Sequence, residues 1–179
     1  MTRKITWVLV GLFTIVSLLT ACVSPIVQIV AQIPEDLPKA PIGDTTKATV
    51  VRVIDGDTIE VEMSGNVYSV RYIGIDTPER NQKGYYEASD ANSRLVSGRT
   101  VVLEKDVSEV DRYGRLLRYV WVDGHMVNAI IVATGFAHDA IYPPDTQYAT
   151  DFLLLERYAK NKRLGLWAPK WEYLWFWAE

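Results

Sequence analysis

Four short segments hold the side chains best suited to chemistry. Asp55-Gly56-Asp57 offers two carboxylates at a turn, and Ile75-Asp76-Thr77-Pro78-Glu79 offers two more. Arg71 lies five residues before Asp76, and Arg115 closes Asp111-Arg112-Tyr113-Gly114-Arg115. Carboxylates, a backbone carbonyl and water are hard oxygen ligands, which suit Ca²⁺ or Mg²⁺ and not zinc. The chain has one cysteine, Cys22, and two histidines, His125 and His138, so no Cys/His cluster competes for a metal. An arginine's planar fork grips phosphate oxygens two at a time. A cation, two such forks and a carboxylate base are what phosphoryl transfer needs: charge stabilised on phosphorus and a water made nucleophilic.

Each segment alone has a plainer reading. Asp55-Gly56-Asp57 reads as a hairpin turn. Asp76-Thr77-Pro78-Glu79 reads as a helix cap with proline at the first helical position. Arg71 by itself is a solvated strand residue and Arg115 a turn residue, while the two histidines read as surface or packing residues. The functional reading rests on all five positions, Asp57, Arg71, Asp76, Glu79 and Arg115, falling in order on predicted strand ends.

Those ends come from the hydropathy pattern. Ala48–Val53 is rich in β-branched residues and reads as a strand. Thr58–Met63 alternates apolar and polar, the period of a half-buried strand, and Val67–Ile75 is a third after the Ser64-Gly65-Asn66 turn. Residues 48–75 are therefore an antiparallel meander, which makes neighbours of Asp57 and the segment after the third strand. Tyr85–Val96 reads as a helix stopped by Gly98, and Thr100–Lys105 and Leu116–Val122 read as strands. Val127–Thr134 is a short helix ended by Gly135. Asp145–Arg163 is the longest helix, with Tyr148, Phe152, Leu155 and Ala159 on one face. The fold class expected is α+β, mainly β: a five-stranded barrel of the oligonucleotide-binding (OB-fold) type with about three helices packed outside it.

The 179 residues are 49% hydrophobic, enough for a packed core. With 19 basic and 22 acidic residues the net charge is −3, which excludes a protein that holds nucleic acid by bulk electrostatics. Positive charge must be focused locally instead. The ends have their own character. Arg3 and Lys4 precede the apolar run Ile5–Leu19, and Leu19-Thr20-Ala21-Cys22 resembles a bacterial lipobox. Residues 1–22 are thus expected to be a lipoprotein signal peptide, with lipidation at Cys22; an uncleaved anchor and an ordinary signal peptide are the alternatives. Residues 23–46, broken by Pro25, Pro34, Pro38 and Pro41, read as a tether. Residues 170–179 end an aromatic run that begins at Trp167, compatible with docking on the domain, a bilayer interface or stacking on bases.

Several ordered motifs resemble the staphylococcal nuclease (thermonuclease) family: Val53-Ile54-Asp55-Gly56-Asp57-Thr58, Val70-Arg71-Tyr72-Ile73-Gly74-Ile75-Asp76-Thr77-Pro78-Glu79 and Asp111-Arg112-Tyr113-Gly114-Arg115. Gly124-His125-Met126-Val127-Asn128 and Gly165-Leu166-Trp167 extend the likeness, and residues 47–169 form the nuclease-like domain it defines. The resemblance implies one Ca²⁺ (or Mg²⁺) on Asp57, Asp76 and the Thr77 carbonyl, supported by Asp55. It implies Arg71 and Arg115 on the scissile phosphate, Glu79 as the base or water-orienting group, and Tyr113 and Tyr142 against the nucleotide. It further implies cleavage of single-stranded DNA, double-stranded DNA and RNA to 3′-phosphate ends. One departure is the loop after Glu79, where only seven residues separate it from Glu87. The function expected is an extracytoplasmic, membrane-tethered nuclease acting as a monomer. The alternative is a non-catalytic barrel that binds nucleic acid or protein.

Overall fold

The computed structural model describes residues 33–34 and 37–169. The expected signal segment 1–22 with Cys22, the first part of the expected tether and residues 170–179 lie outside the described residues. The strands are β1 (Thr45–Val53), β2 (Thr58–Met63), β3 (Asn66–Tyr72), β4 (Ile75–Asp76), β5 (Thr100–Glu104), β6 (Leu116–Val122), β7 (His125–Met126) and β8 (His138–Asp139). The helices are α1 (Tyr85–Val96), α2 (Val127–Ala133) and α3 (Ala149–Lys162), followed by a 3₁₀ turn at Gly165–Trp167.

The expected barrel is present and closed. β1, β2 and β3 form the antiparallel meander, β1 also pairs with β5, β5 with β6, and a parallel β3–β6 ladder completes the ring. Alternation explains the filling: Val50, Ile59, Val61, Val70, Leu103, Val120 and Val122 point inward and are buried. On the helices, Leu95 of α1, Ile130 of α2 and Phe152 of α3 are buried as well. The α3 face is the one its spacing predicts, since Tyr148, Phe152, Leu155 and Ala159 are all buried.

Three differences from the sequence expectation have clear causes. The third strand does not run through to Ile75. It stops at Tyr72 because Gly74 takes a left-handed conformation (φ 77°), which glycine adopts at no steric cost, and packs against the Phe152 ring. The chain then re-enters a separate two-stranded sheet, β4 with β8. Helix α3 begins at Ala149 and not at Asp145. The Asp145 carboxylate is drawn off to the 107–108 loop, where it accepts the Val107 and Ser108 amides at 3.0 and 2.7 Å. The first strand starts at Thr45, ahead of Ala48, because Thr45 and Thr46 pair with Glu104 and Leu103 of β5. Buried Asn128 of α2 patches the break after β3: its amide oxygen accepts the Val120 amide and its nitrogen donates to Ile73 O, both at 2.9 Å.

Candidate active site

The β2–β3 register decides the site. Thr58 pairs with Arg71, so Asp57, at the entry to β2, lies beside the Arg71 side chain. Asp57 itself is buried. Its Oδ2 accepts the Thr77 amide at 2.8 Å and the Thr77 hydroxyl at 2.9 Å, and the Thr58 hydroxyl reaches Oδ1 at 3.2 Å. These bonds tie the turn before β2 to the segment after β4. Gly56 permits the approach. A Cβ there would sit 2.7–2.8 Å from three Thr77 side-chain atoms, so space and not a positive φ requires glycine at this turn.

Arg71 joins the two aspartates. One terminal nitrogen lies 2.8 Å from Asp57 Oδ2 and donates to Ile75 O at 3.0 Å; the other donates to Asp76 Oδ1 at 2.9 Å. Burial pushes the Asp57 carboxyl up to about 6, and the nearby Asp55 adds to the rise. The Arg71 charge and the Thr77 hydrogen bonds pull it back without cancelling the rise. A carboxylate this costly to ionise gains from further positive charge beside it. Among the described residues no group of three or more His, Cys, Asp or Glu side chains gathers as a metal cluster. The donors present are instead two carboxylates that already share one cation, the Arg71 guanidinium, and this set fits a hard divalent ion.

Arg115 stands at the entry to β6, the strand that pairs with β3. Its Nε donates to Asp111 Oδ2 at 2.7 Å and its amide to Asp111 Oδ1 at 3.0 Å. The two terminal nitrogens of its fork have no hydrogen-bond partner among the described residues. The Tyr113 ring lies under Arg112 and Arg115, 4.7 and 5.5 Å from the guanidinium carbons, and is mostly exposed. Glu79 is exposed three residues past Asp76, and no helix begins there, so the capping reading of Asp76–Glu79 is set aside. The Glu79 amide donates to Gln82 Oε1 at 2.9 Å, and its carboxylate has no partner among the described residues. Asp55 accepts the Asp57 amide at 3.1 Å, a supporting position behind the turn. Tyr142 is exposed, in a bridge with Asp145. His138 packs edge-on against Trp167, and His125 is half-buried on β7.

Two positioning residues escape a reading of motifs. Asn92 of α1 accepts the Tyr72 hydroxyl at 2.9 Å and donates to Asp55 O at 2.8 Å, holding the carboxylate turn from behind. The available signal was a polar residue inside the apolar face Ala88, Ala91, Leu95. Gln82 carried no signal, because its contact with Glu79 depends on how a short loop folds.

A closed five-stranded barrel with helices outside it, carrying acids and arginines near the ends of adjacent strands, defines a barrel of the oligonucleotide-binding type with a cluster of charged side chains. Residues 69–169 match the family described as staphylococcal nuclease homologue, and the chain belongs to that family. It is 42% identical over 128 residues to the SPbeta prophage-derived endonuclease YokF of Bacillus subtilis, covering 67% of this chain and 43% of that one. It is 41% identical over 128 residues to endonuclease YncB of the same organism, covering 67% and 61%. Against the thermonuclease of Staphylococcus hyicus the identity is 37% over 125 residues, covering 66% and 74%. The matched span is less than two thirds of the length of YokF and of YncB.

Proposed function

We propose that this chain hydrolyses phosphodiester bonds of DNA and RNA as a Ca²⁺-dependent endonuclease outside the cytoplasm, leaving 3′-phosphate ends. The observation that carries the reading is Arg71 bridging Asp57 and Asp76, on the strand next to the open fork of Arg115. Asp57, Asp76 and the Thr77 carbonyl would hold the ion, which when bound offsets negative charge on the phosphate oxygens. The Arg115 fork, braced through Nε, binds two non-bridging oxygens and orients the phosphate. Arg71 shares the charge that grows as phosphorus becomes five-coordinate. The free Glu79 carboxylate takes a proton from the attacking water. As the water oxygen bonds to phosphorus the P–O5′ bond breaks, and the leaving oxygen takes a proton from solvent water to become a 5′-hydroxyl. Exposed Tyr113 and Tyr142 offer ring faces to the nucleotide. The five site residues come from one chain, and the enzyme acts as a monomer.

Purified protein in detergent is expected to degrade single-stranded DNA with added Ca²⁺, to stop on chelation and to resume when Ca²⁺ returns. Glu79→Gln is expected to lower the rate by about 10²–10⁴-fold, the usual contribution of a positioned base. Wild type no faster than Glu79→Gln would leave only the non-catalytic, nucleic-acid-binding barrel.

The extracytoplasmic placement rests on the apolar run Ile5–Leu19 ahead of the chain's sole cysteine. Cys22→Ser is expected to move the protein from the detergent to the aqueous phase on Triton X-114 partitioning. Unchanged partitioning would count against lipidation.

A further inference from the structure

A cavity of about 210 Å³ opens beside the site. It shares Asp76 and Thr77 with the site, and its remaining wall includes Gln82, His138, Leu166 and Trp167. Neither arginine of the site nor Tyr113 lines it, so it is a separate compartment that meets the phosphate site only at Asp76 and Thr77. From this juxtaposition we infer that the cavity is a second nucleotide subsite, which takes the base of a nucleotide flanking the scissile phosphate. The inference rests on the proposed nuclease function and adds a substrate contact that the five site residues do not supply.

The wall chemistry is that of a base-binding slot. Leu166 and the Trp167 indole supply apolar, stackable surface. The indole is braced by the His138 ring edge-on at 4.9 Å and by the Lys160 ammonium 4.7 Å from the indole ring centre, with Glu156 bonding both His138 and Lys160 from α3. Its Nε1–H is buried with no acceptor among the described residues, so the cavity is offered the ring's carbon surface. Gln82 spends its amide oxygen on the Glu79 backbone, which leaves its NH₂ group without a partner among the described residues. The volume falls below the roughly 300–1,000 Å³ of sites for drug-sized ligands, as suits one planar ring system.

The chain also needs such a contact. Its net charge of −3 gives little non-specific pull on a polyanion. Stacking is sequence-tolerant, because every base has a π-face, and is worth about 1–3 kcal/mol per base, or about 5- to 150-fold in affinity. A polymer held by one phosphate must leave the site in two directions, and exposed Tyr113 marks one of them. The cavity beyond Asp76 receives the other. Gln82 links the two sites, since it both lines the cavity and holds the Glu79 amide.

The test uses four isomers of tetrathymidylate, each with a single 5-iodouracil, irradiated with the full-length Glu79→Gln protein and mapped by mass spectrometry. At least one isomer is expected to crosslink to Trp167 or His138. Crosslinks confined to residues outside the cavity, or none, while wild type still cleaves the tetramers, would overturn the subsite and leave the nuclease reading intact. If wild type cleaves neither the tetramers nor single-stranded DNA, the nuclease reading falls and the subsite with it. In parallel, Trp167→Ala is expected to raise KM for single-stranded DNA by about 5- to 150-fold, with Trp167→Phe restoring most of it. Unchanged KM in folded Trp167→Ala would also overturn the subsite.

Discussion

Replacing Arg71 with alanine is expected to lower kcat/KM on single-stranded DNA by about 10³-fold or more. Removing one preorganised donor from an oxyanion site usually costs about 10²–10³, and arginines that stabilise phosphoryl transfer are worth about 10³–10⁵. Arg71 does more than face the substrate. It is the shared counter-charge of Asp57 and Asp76, with side-chain exposures of 16% for Arg71 and 6% for Asp57. Removing one partner of a buried pair costs about 3–5 kcal/mol, so Arg71→Ala should also unfold at lower denaturant concentration. Arg71→Lys separates the two effects. It keeps a positive charge but cannot span both carboxylates as a planar fork does, so stability should recover while the rate stays low. Steady-state kinetics with chemical denaturation on both variants makes the check. If Arg71→Ala keeps its rate within about tenfold, Arg71 only ties the aspartates together, and the charge-stabilising role belongs elsewhere.

The second large effect lies at Glu104, whose hydrogen-bond partners include none of the five site residues. This carboxylate at the end of β5 is wholly buried and has no ion-pair partner among the described residues. Oε1 accepts the Ile42 and Gly43 backbone amides at 2.9 and 2.8 Å and the Gln147 side-chain NH₂ at 2.7 Å; Oε2 accepts the Trp121 indole N–H at 2.8 Å. The Tyr148 hydroxyl lies 3.1 Å from both oxygens. Glu104 thus pins the approach to β1, the core of β6 and the start of α3 to a single point. Glu104→Ala is expected to destabilise the fold by about 3–5 kcal/mol, because several buried donors lose their acceptor together. Glu104→Gln should also destabilise, since one end of its amide presents hydrogens to groups that themselves donate. Urea titration monitored by tryptophan fluorescence reads both. A loss below about 1 kcal/mol for Glu104→Ala would mean that these donors find other partners and that Glu104 is no hub.

Glu104 also shows where reading the sequence stops. Its place in Thr100–Lys105 marks it as a strand residue, but its partners lie 17 to 62 positions away. Nothing local to that strand announces them. Asn92 and Asn128 share this character, as buried amides that join α1 and α2 to turns far along the chain. Gly56 teaches a subtler lesson. Asp-Gly at that turn suggests a residue chosen for backbone freedom, whereas the requirement comes from Thr77, packed against it from the far side of the meander.

The candidate site residues stand out in the sequence because their chemistry and order are local properties. Carboxylate types, arginine types and the alternation of β2 place Asp57, Arg71, Asp76, Glu79 and Arg115 on strand ends without any coordinates. The barrel and its three helices were legible for the same reason, since periods of two and 3.6 depend on neighbours alone. Tertiary structure alone decided that Asp57 is buried, that Arg71 spans both aspartates and that Arg115 keeps an open fork. It alone decided that β3 breaks at Gly74 and that a cavity opens between the Glu79 loop and Trp167. These follow from register and from side chains meeting across the fold, and such distances are set by packing, which no short stretch of sequence encodes.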